Sequence, residues 1–76
     1  MSNWNGQDDD IQMIADQHNA YICKRRRSYC YCTFLSSNDR TAFKAAVVAA
    51  NIPNVTMKDI SLESNPNYFI VKTEPV

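Results

Sequence analysis

The chain has 76 residues, 45% of them hydrophobic and 21% charged, and its eight basic residues balance its eight acidic ones. That length supplies one domain with a single small core, near the lower size at which chains fold unaided. Zero net charge excludes a general polyanion binder and a carboxylate-covered mimic of DNA, and the longest apolar run, residues 45–50, falls far short of the roughly 20 residues a spanning helix needs.

Residues 1–7 lack periodicity and hold the only glycine, Gly6, so they are expected to form a flexible N-terminal arm ahead of a single domain over 8–76. Trp4 is the exception, because a lone tryptophan in a polar tail tends to tuck against the core. Asp8 to Asn19 opens with three aspartates suited to a helix N-terminus and spaces Ile11, Ile14, Ala15 and His18 for one helical face.

From Ala20 to Leu35 the aromatic, cysteine and β-branched residues favour strands. Lys24, Arg25, Arg26 and Arg27 interrupt this segment, either as a tight hairpin connection between two strands or as the exposed lead into one. Alternation puts Tyr29, Tyr31, Thr33 and Leu35 on one face and Cys30, Cys32 and Phe34 on the other, the cysteine face being the expected core side.

Ser36 to Asp39 supplies a helix cap, and a helix over 40–50 places Ala42, Phe43, Ala46, Val47 and Ala50 on one stripe before Asn51 and Pro53 stop it. Ile60 and Leu62, then Tyr68 to Val71, read as two strands joined across the turn-rich residues 64–67. The order α-β(β)-α-β-β implies an α+β fold, an antiparallel sheet of three to four strands with helix packed on one face. The uncovered sheet face is then the candidate functional surface.

Charge is locally uneven: residues 8–16 carry four aspartates and no base, residues 24–27 four bases and no acid, so the two blocks can pair within the fold. Three cysteines, an odd number without a multi-bridge framework, on a chain opening at Met1 without an apolar signal segment, point to a reduced, cytoplasmic setting.

Four residues offer metal-ligand chemistry, His18, Cys23, Cys30 and Cys32, in an H-x4-C-x6-C-x-C series. Zinc accepts all four, but structural zinc sites favour C-x2-C knuckles with glycine, and no glycine follows Gly6. The expectation is therefore no metal and no cofactor, with the cysteines as small buried hydrophobes. Catalysis would have to pair His18 with one of the thiols and orient it with Asp16, yet positions two apart on a helix diverge and thiols in a strand core stay inert. No enzyme is expected.

The basic run beside Tyr29 and Tyr31 carries the binding hypothesis. An exposed sheet face or edge strand with Tyr21, Tyr29, Tyr31 and Tyr68 beside an arginine run has the composition of an interaction hot spot, where tyrosine and arginine are enriched, so the leading expectation is a small non-enzymatic binding protein. It would act as an inhibitor or regulator that occupies a surface of a larger protein or nucleoprotein complex through Lys24, Arg25, Arg26, Arg27, Tyr29 and Tyr31. Single-stranded nucleic acid bound by the Arg25 to Arg27 run, with Tyr29 and Tyr31 stacking on bases and Arg40, Lys44 and Lys58 as candidates to extend the basic patch, is the alternative. A zinc-stapled module is the third. A second copy of the chain is a further candidate partner through an edge strand or sheet face, and no membrane is involved.

Two resemblances accompany this reading. A strand followed by a helix and two more strands resembles in element order part of the RNA-recognition fold, without its aromatic-glycine signature. In size and lack of catalytic groups the chain looks like the small proteins with which bacteriophages inhibit host enzymes or defence complexes, a likeness of kind that implies an inhibitory role and transfers no residue.

Overall fold

The computed structural model describes residues 3–76; Met1 and Ser2 of the expected arm lie outside the described residues. Six elements follow one another: α1 (Gln7–Gln17), β1 (Ile22–Arg25), β2 (Cys30–Phe34), α2 (Ser37–Ala49), β3 (Val55–Ile60) and β4 (Phe69–Pro75). The strands form one antiparallel sheet in the order β1-β2-β4-β3, and both helices contribute to the core on a single face of it. This is the small α+β architecture expected from the pattern of elements.

Because β2 and β3 each run antiparallel to β4, they are parallel to each other, with α2 as the crossover and β4 inserted between them. Cyclically reordered to start at β2, the elements read β-α-β-β-α-β, the ferredoxin-like split arrangement that the RNA-recognition fold also uses. The partial likeness in element order thus extends to the whole domain in permuted form, with α1 and β1 standing where the last helix and strand would follow. Such an arrangement hosts many unrelated activities and by itself assigns none.

Local chemistry accounts for the helix ends. Gly6 caps α1 with φ 93°, a left-handed conformation that glycine adopts without a Cβ penalty. Ser36 caps α2, its hydroxyl accepting hydrogen bonds from the Asn38 and Asp39 backbone N–H groups at 3.1 and 3.3 Å. Asn19 and Asn51, both at positive φ, follow the two helices and turn the chain back toward the sheet.

The core comprises Ile11, Ile14 and Ala15 of α1, Cys30, Cys32 and Phe34 of β2, Phe43 and Val47 of α2, and Val71 of β4. Phe34 and Phe43 sit at its centre, ring centroids 5.0 Å apart. The cysteine face of β2 is therefore the core face. Several expectations are corrected. On α2 only Phe43 and Val47 are buried, while Ala42 and Ala50 face solvent, because the helix leans on the sheet along a narrower stripe than the alanines suggested. His18 caps the C-terminus of α1 rather than joining its buried stripe. The third strand lies upstream of its expected place: β3 begins at Val55 and ends at Ile60, leaving Leu62 in the loop that leads to β4. The terminal β3–β4 hairpin itself is present.

Deleting the Phe43 ring is expected to lower the unfolding free energy by about 3–5 kcal/mol, the range for large aromatic-to-alanine changes in a core. Val48→Ala on the solvent side of the same helix, where Val48 is 67% exposed, should stay within about 0.5 kcal/mol. Urea unfolding of both variants checks the contrast.

Candidate binding face and cysteine cluster

The basic run is divided by the strand that carries it. Lys24 and Arg25 end β1, and Arg26 to Tyr29 form the hairpin connection, with the Arg26 N–H donating to the Tyr29 carbonyl at 2.8 Å. Of the two readings of residues 24–27, the structure takes the hairpin. Alternation then sends Lys24 and Arg25 to opposite sides of the sheet.

Arg25 points to the helix side. Its guanidinium meets Asp8 and Asp9 of α1 at 2.9 Å each and also donates to the Gln12 amide oxygen. This is the pairing of acidic and basic blocks that the charge pattern suggested, and it commits Arg25 to holding α1 against β1. Burial opposes the guanidinium charge, but the hydrogen bonds and field of Asp8 and Asp9 outweigh it and raise the Arg25 pKa. Arg26 and Arg27 stand exposed at the hairpin tip. Trp4 fastens that tip from behind: its indole N–H donates to the Arg26 carbonyl at 2.9 Å, and its backbone N–H to the Arg27 carbonyl at 3.3 Å. From Trp4 onward the expected arm is thus tied to the hairpin.

On the uncovered face the strand register assembles two rows that the sequence does not show. Lys24, Tyr31, Lys72 and Lys58 lie side by side across all four strands, and Ile22, Thr33, Ile70 and Ile60 form the neighbouring row. Tyr29 packs edge-on against Tyr31 with centroids 5.1 Å apart, and the Lys72 ammonium sits 5.3 and 5.9 Å from the two ring centres. Glu74 lies beside this row, 3.3 Å from Lys72. Leu62 and Tyr68 extend the apolar row into a depression of about 370 Å³, and Tyr21 stands beside Tyr68 at 6.0 Å. A larger hollow of about 440 Å³ is bounded by α1 alone and is an open helix surface, not a pocket.

The zero net charge therefore hides a sided molecule. Asp8, Asp9, Asp10 and Asp16 lie on α1, Asp39 on α2, and Asp59 faces α2, bonded to Lys44 at 3.0 Å. The open face holds Lys24, Lys58 and Lys72, with Arg26 and Arg27 at its rim. Lys58 and Lys72 are direct cross-strand partners, a like-charge placement that costs stability. Sequence reading located Lys24, Tyr29 and Tyr31 and named Tyr21, Tyr68 and Lys58 as candidates, but it missed Lys72 and the isoleucines of this surface. Period-2 alternation marks the face of each residue, but nothing local sets which strands become neighbours.

The core side of β1 and β2 brings the three cysteines together. Cys23 and Cys32 are direct cross-strand partners with sulfurs 3.4 Å apart, and the Cys30 sulfur lies 3.7 Å from that of Cys23. All three sulfurs fall within 4.8 Å of one another, Cys30 and Cys32 fully shielded and Cys23 half-buried. His18, the remaining member of the sequence series, is not part of this group. Hydrogen bonds from Cys23, Cys32 and Thr73, aided by the charge of Arg25, outweigh burial and bring the Cys30 thiol down to about 4. Cys23 is pushed up to about 11, chiefly by its bond to Cys30, and Cys32 is pushed up as well by both neighbouring sulfurs and by burial.

No protein-family model, curated protein or solved structure matches the chain. No helix among the described residues is long and apolar enough to cross a membrane.

The cysteine geometry predicts one thiolate at neutral pH. Ultraviolet thiolate absorbance of the reduced, metal-free protein should fall by one cysteine equivalent as pH drops through about 4, since protonation of Cys30 removes the absorbing anion. The step should be missing in Cys30→Ser, and a flat trace in the parent protein would contradict the assignment.

Proposed function

We propose that the protein is a non-catalytic binding protein that acts by occupying a surface of a larger protein, as an inhibitor or regulator, through the open face of its sheet. The observation that carries this reading is the pair of rows on that face: an apolar strip of Ile22, Ile60, Ile70, Leu62 and Tyr68 set beside Lys24, Tyr31, Lys72 and Lys58. An apolar centre with a cationic margin is the composition of a protein interface, where desolvated anchors give affinity and charge sets orientation and encounter rate. The matching partner surface carries an apolar projection flanked by carboxylates.

Relative to the expectation from sequence, the contact set shifts. Lys24, Arg26, Arg27, Tyr29 and Tyr31 remain available to a partner, Lys58, Lys72 and Tyr68 join them, and Arg25 is engaged with α1. Lys58 stands opposite Lys72, which Glu74 already pairs at 3.3 Å, so a partner's carboxylate set between the two lysines offsets the part of this like-charge placement that Glu74 leaves.

Single-stranded nucleic acid is the second reading, favoured by one observation. In the permuted arrangement β2 is a central strand, and it carries Tyr31 on the open face, with Tyr29 just ahead of it in the chain and packed against its ring, as nucleic-acid-binding sheets carry their stacking aromatics. Lys72 already stands over both rings, and aliphatic isoleucines fill the rest of the surface, which offers bases little to stack on. The protein reading is accordingly preferred.

The test is a capture experiment from lysate treated with nuclease, comparing the parent chain with Lys24→Glu/Lys58→Glu/Lys72→Glu. The reading requires a discrete protein partner that survives nuclease and is lost with the triple reversal, while Arg25→Ala retains it. Recovery of partners only without nuclease would move nucleic acid to first place. Undiminished capture by the triple variant would remove the open face from the mechanism.

A further inference from the structure

We infer that Cys23, Cys30 and Cys32 form a trithiolate site for a thiophilic d10 cation, held between the β1–β2 hairpin and helix α1. The inference is independent of the open face, which lies on the other side of the sheet. It departs from the sequence expectation in two ways: the cysteines act as ligands rather than as core filler, and His18 takes no part.

Geometry carries the argument. A zinc–sulfur bond of about 2.3 Å requires sulfurs about 3.8 Å apart in a tetrahedral site, or about 4.0 Å in a planar three-coordinate one. The sulfurs here are separated by 3.4 and 3.7 Å, and the third distance is within 4.8 Å. Two of the separations are therefore within tenths of an ångström of the required values, and the bound on the third leaves an ion at the centroid within the reach of χ1 adjustment. Direct cross-strand pairing supplies Cys23 and Cys32 from neighbouring strands, and the period-2 spacing of Cys30 and Cys32 returns both thiols to the same face. The rigid hairpin thus does the work that glycine knuckles do in common zinc sites.

The surroundings suit a soft ion. Ile11, Ile14 and Ala15 belong to the same shielded cluster as Cys30 and Cys32, and Cys23 on the edge strand keeps the site in contact with solvent as a route of access. Thr73, opposite Cys30 in register and itself buried, donates from its hydroxyl to the Cys30 carbonyl at 3.3 Å and so fixes the ligand-bearing backbone. Among the described residues no other histidine, cysteine or carboxylate joins the three sulfurs. All-sulfur donors select soft cations such as copper(I) or zinc over hard ones. Binding is pure coordination: three thiols release their remaining protons as three metal–sulfur bonds form, with no change of oxidation state. Copper(I) is satisfied by three sulfurs, whereas zinc would take a solvent molecule as its fourth ligand.

The experiment titrates the reduced, metal-free full chain with Zn²⁺ in one arm and with Cu⁺ under reductant in another. Bound metal is counted by plasma mass spectrometry and accessible thiols by a disulfide reagent. One ion per chain in either arm, with protection of all three thiols, is the expected result, and competition between the arms identifies the preferred ion. Cys23→Ser, at the half-buried position, should weaken binding by more than the roughly 10–100-fold that loss of a supporting outer-shell group costs. His18→Ala should leave binding unchanged. Co²⁺ added to the unaltered chain gives a readout that needs no variant, because thiolate-to-cobalt charge-transfer bands report sulfur ligation. Sub-stoichiometric uptake in both arms without such bands, or uptake unchanged in Cys23→Ser, would overturn the site.

Discussion

Phe34 of β2 and Phe43 of α2 meet at 5.0 Å between ring centres, both closed off from solvent, and the other elements are placed by what can pack around that contact. Burying one such side chain contributes about 1.5–3 kcal/mol, a large share of what so small a core can supply. Because Phe34 lies on the same face of β2 as Cys30 and Cys32, anchoring it inward commits the entire strand: a register slip of one residue would expose all three at once. The helices must then cover that face, and the opposite face is left bare. The uncovered surface is therefore a consequence of a two-helix chain closing over one side of a four-stranded sheet.

Charge follows the same division. Acidic residues gather on the helix-covered side, where those of the first turns complement helix N-termini, Asp8 and Asp9 hold Arg25, and Asp59 of β3 holds Lys44 of α2, while Lys24, Lys58 and Lys72 collect on the bare face. A composition that is neutral overall thus yields a face rich in lysine. Formal net charge could not report this sidedness, because it sums over faces that only folding separates.

The hairpin is the element on which both proposals converge. Its outer side presents Lys24, Tyr31 and the arginine tip, its inner side gathers three sulfurs, and Trp4 and Arg25 brace it against the N-terminal segment. An ion held by Cys23, Cys30 and Cys32 would clamp β1 to β2 and stiffen the same strands that carry Lys24 and Tyr31. In a fold with a single glycine, spent at the start of α1, cross-strand pairing is the means by which ligands can converge.

Most of the fold was legible in the sequence. The Ser36 cap and Phe43–Val47 spacing mark α2, the alternation of Cys30, Cys32 and Phe34 marks the core face of β2, and the opposed charge blocks anticipate the link of Arg25 to α1. These signals lie within one turn or one strand, where periodicity, capping and alternation act on neighbouring residues. The start of β3 at Val55 was not legible, since Val55, Thr56 and Met57 sit between polar residues and become a strand only by pairing with β4. Nor was the make-up of the open face, whose members Lys24, Lys58 and Lys72 are far apart in the chain and meet because β4 inserts between β2 and β3. The sequence by itself determined which face of β2 turns inward and where the helices begin. Only the tertiary structure decided which strands are neighbours, and so which lysines, tyrosines and thiols stand together, because strand order and register are fixed by long-range burial that no local pattern encodes.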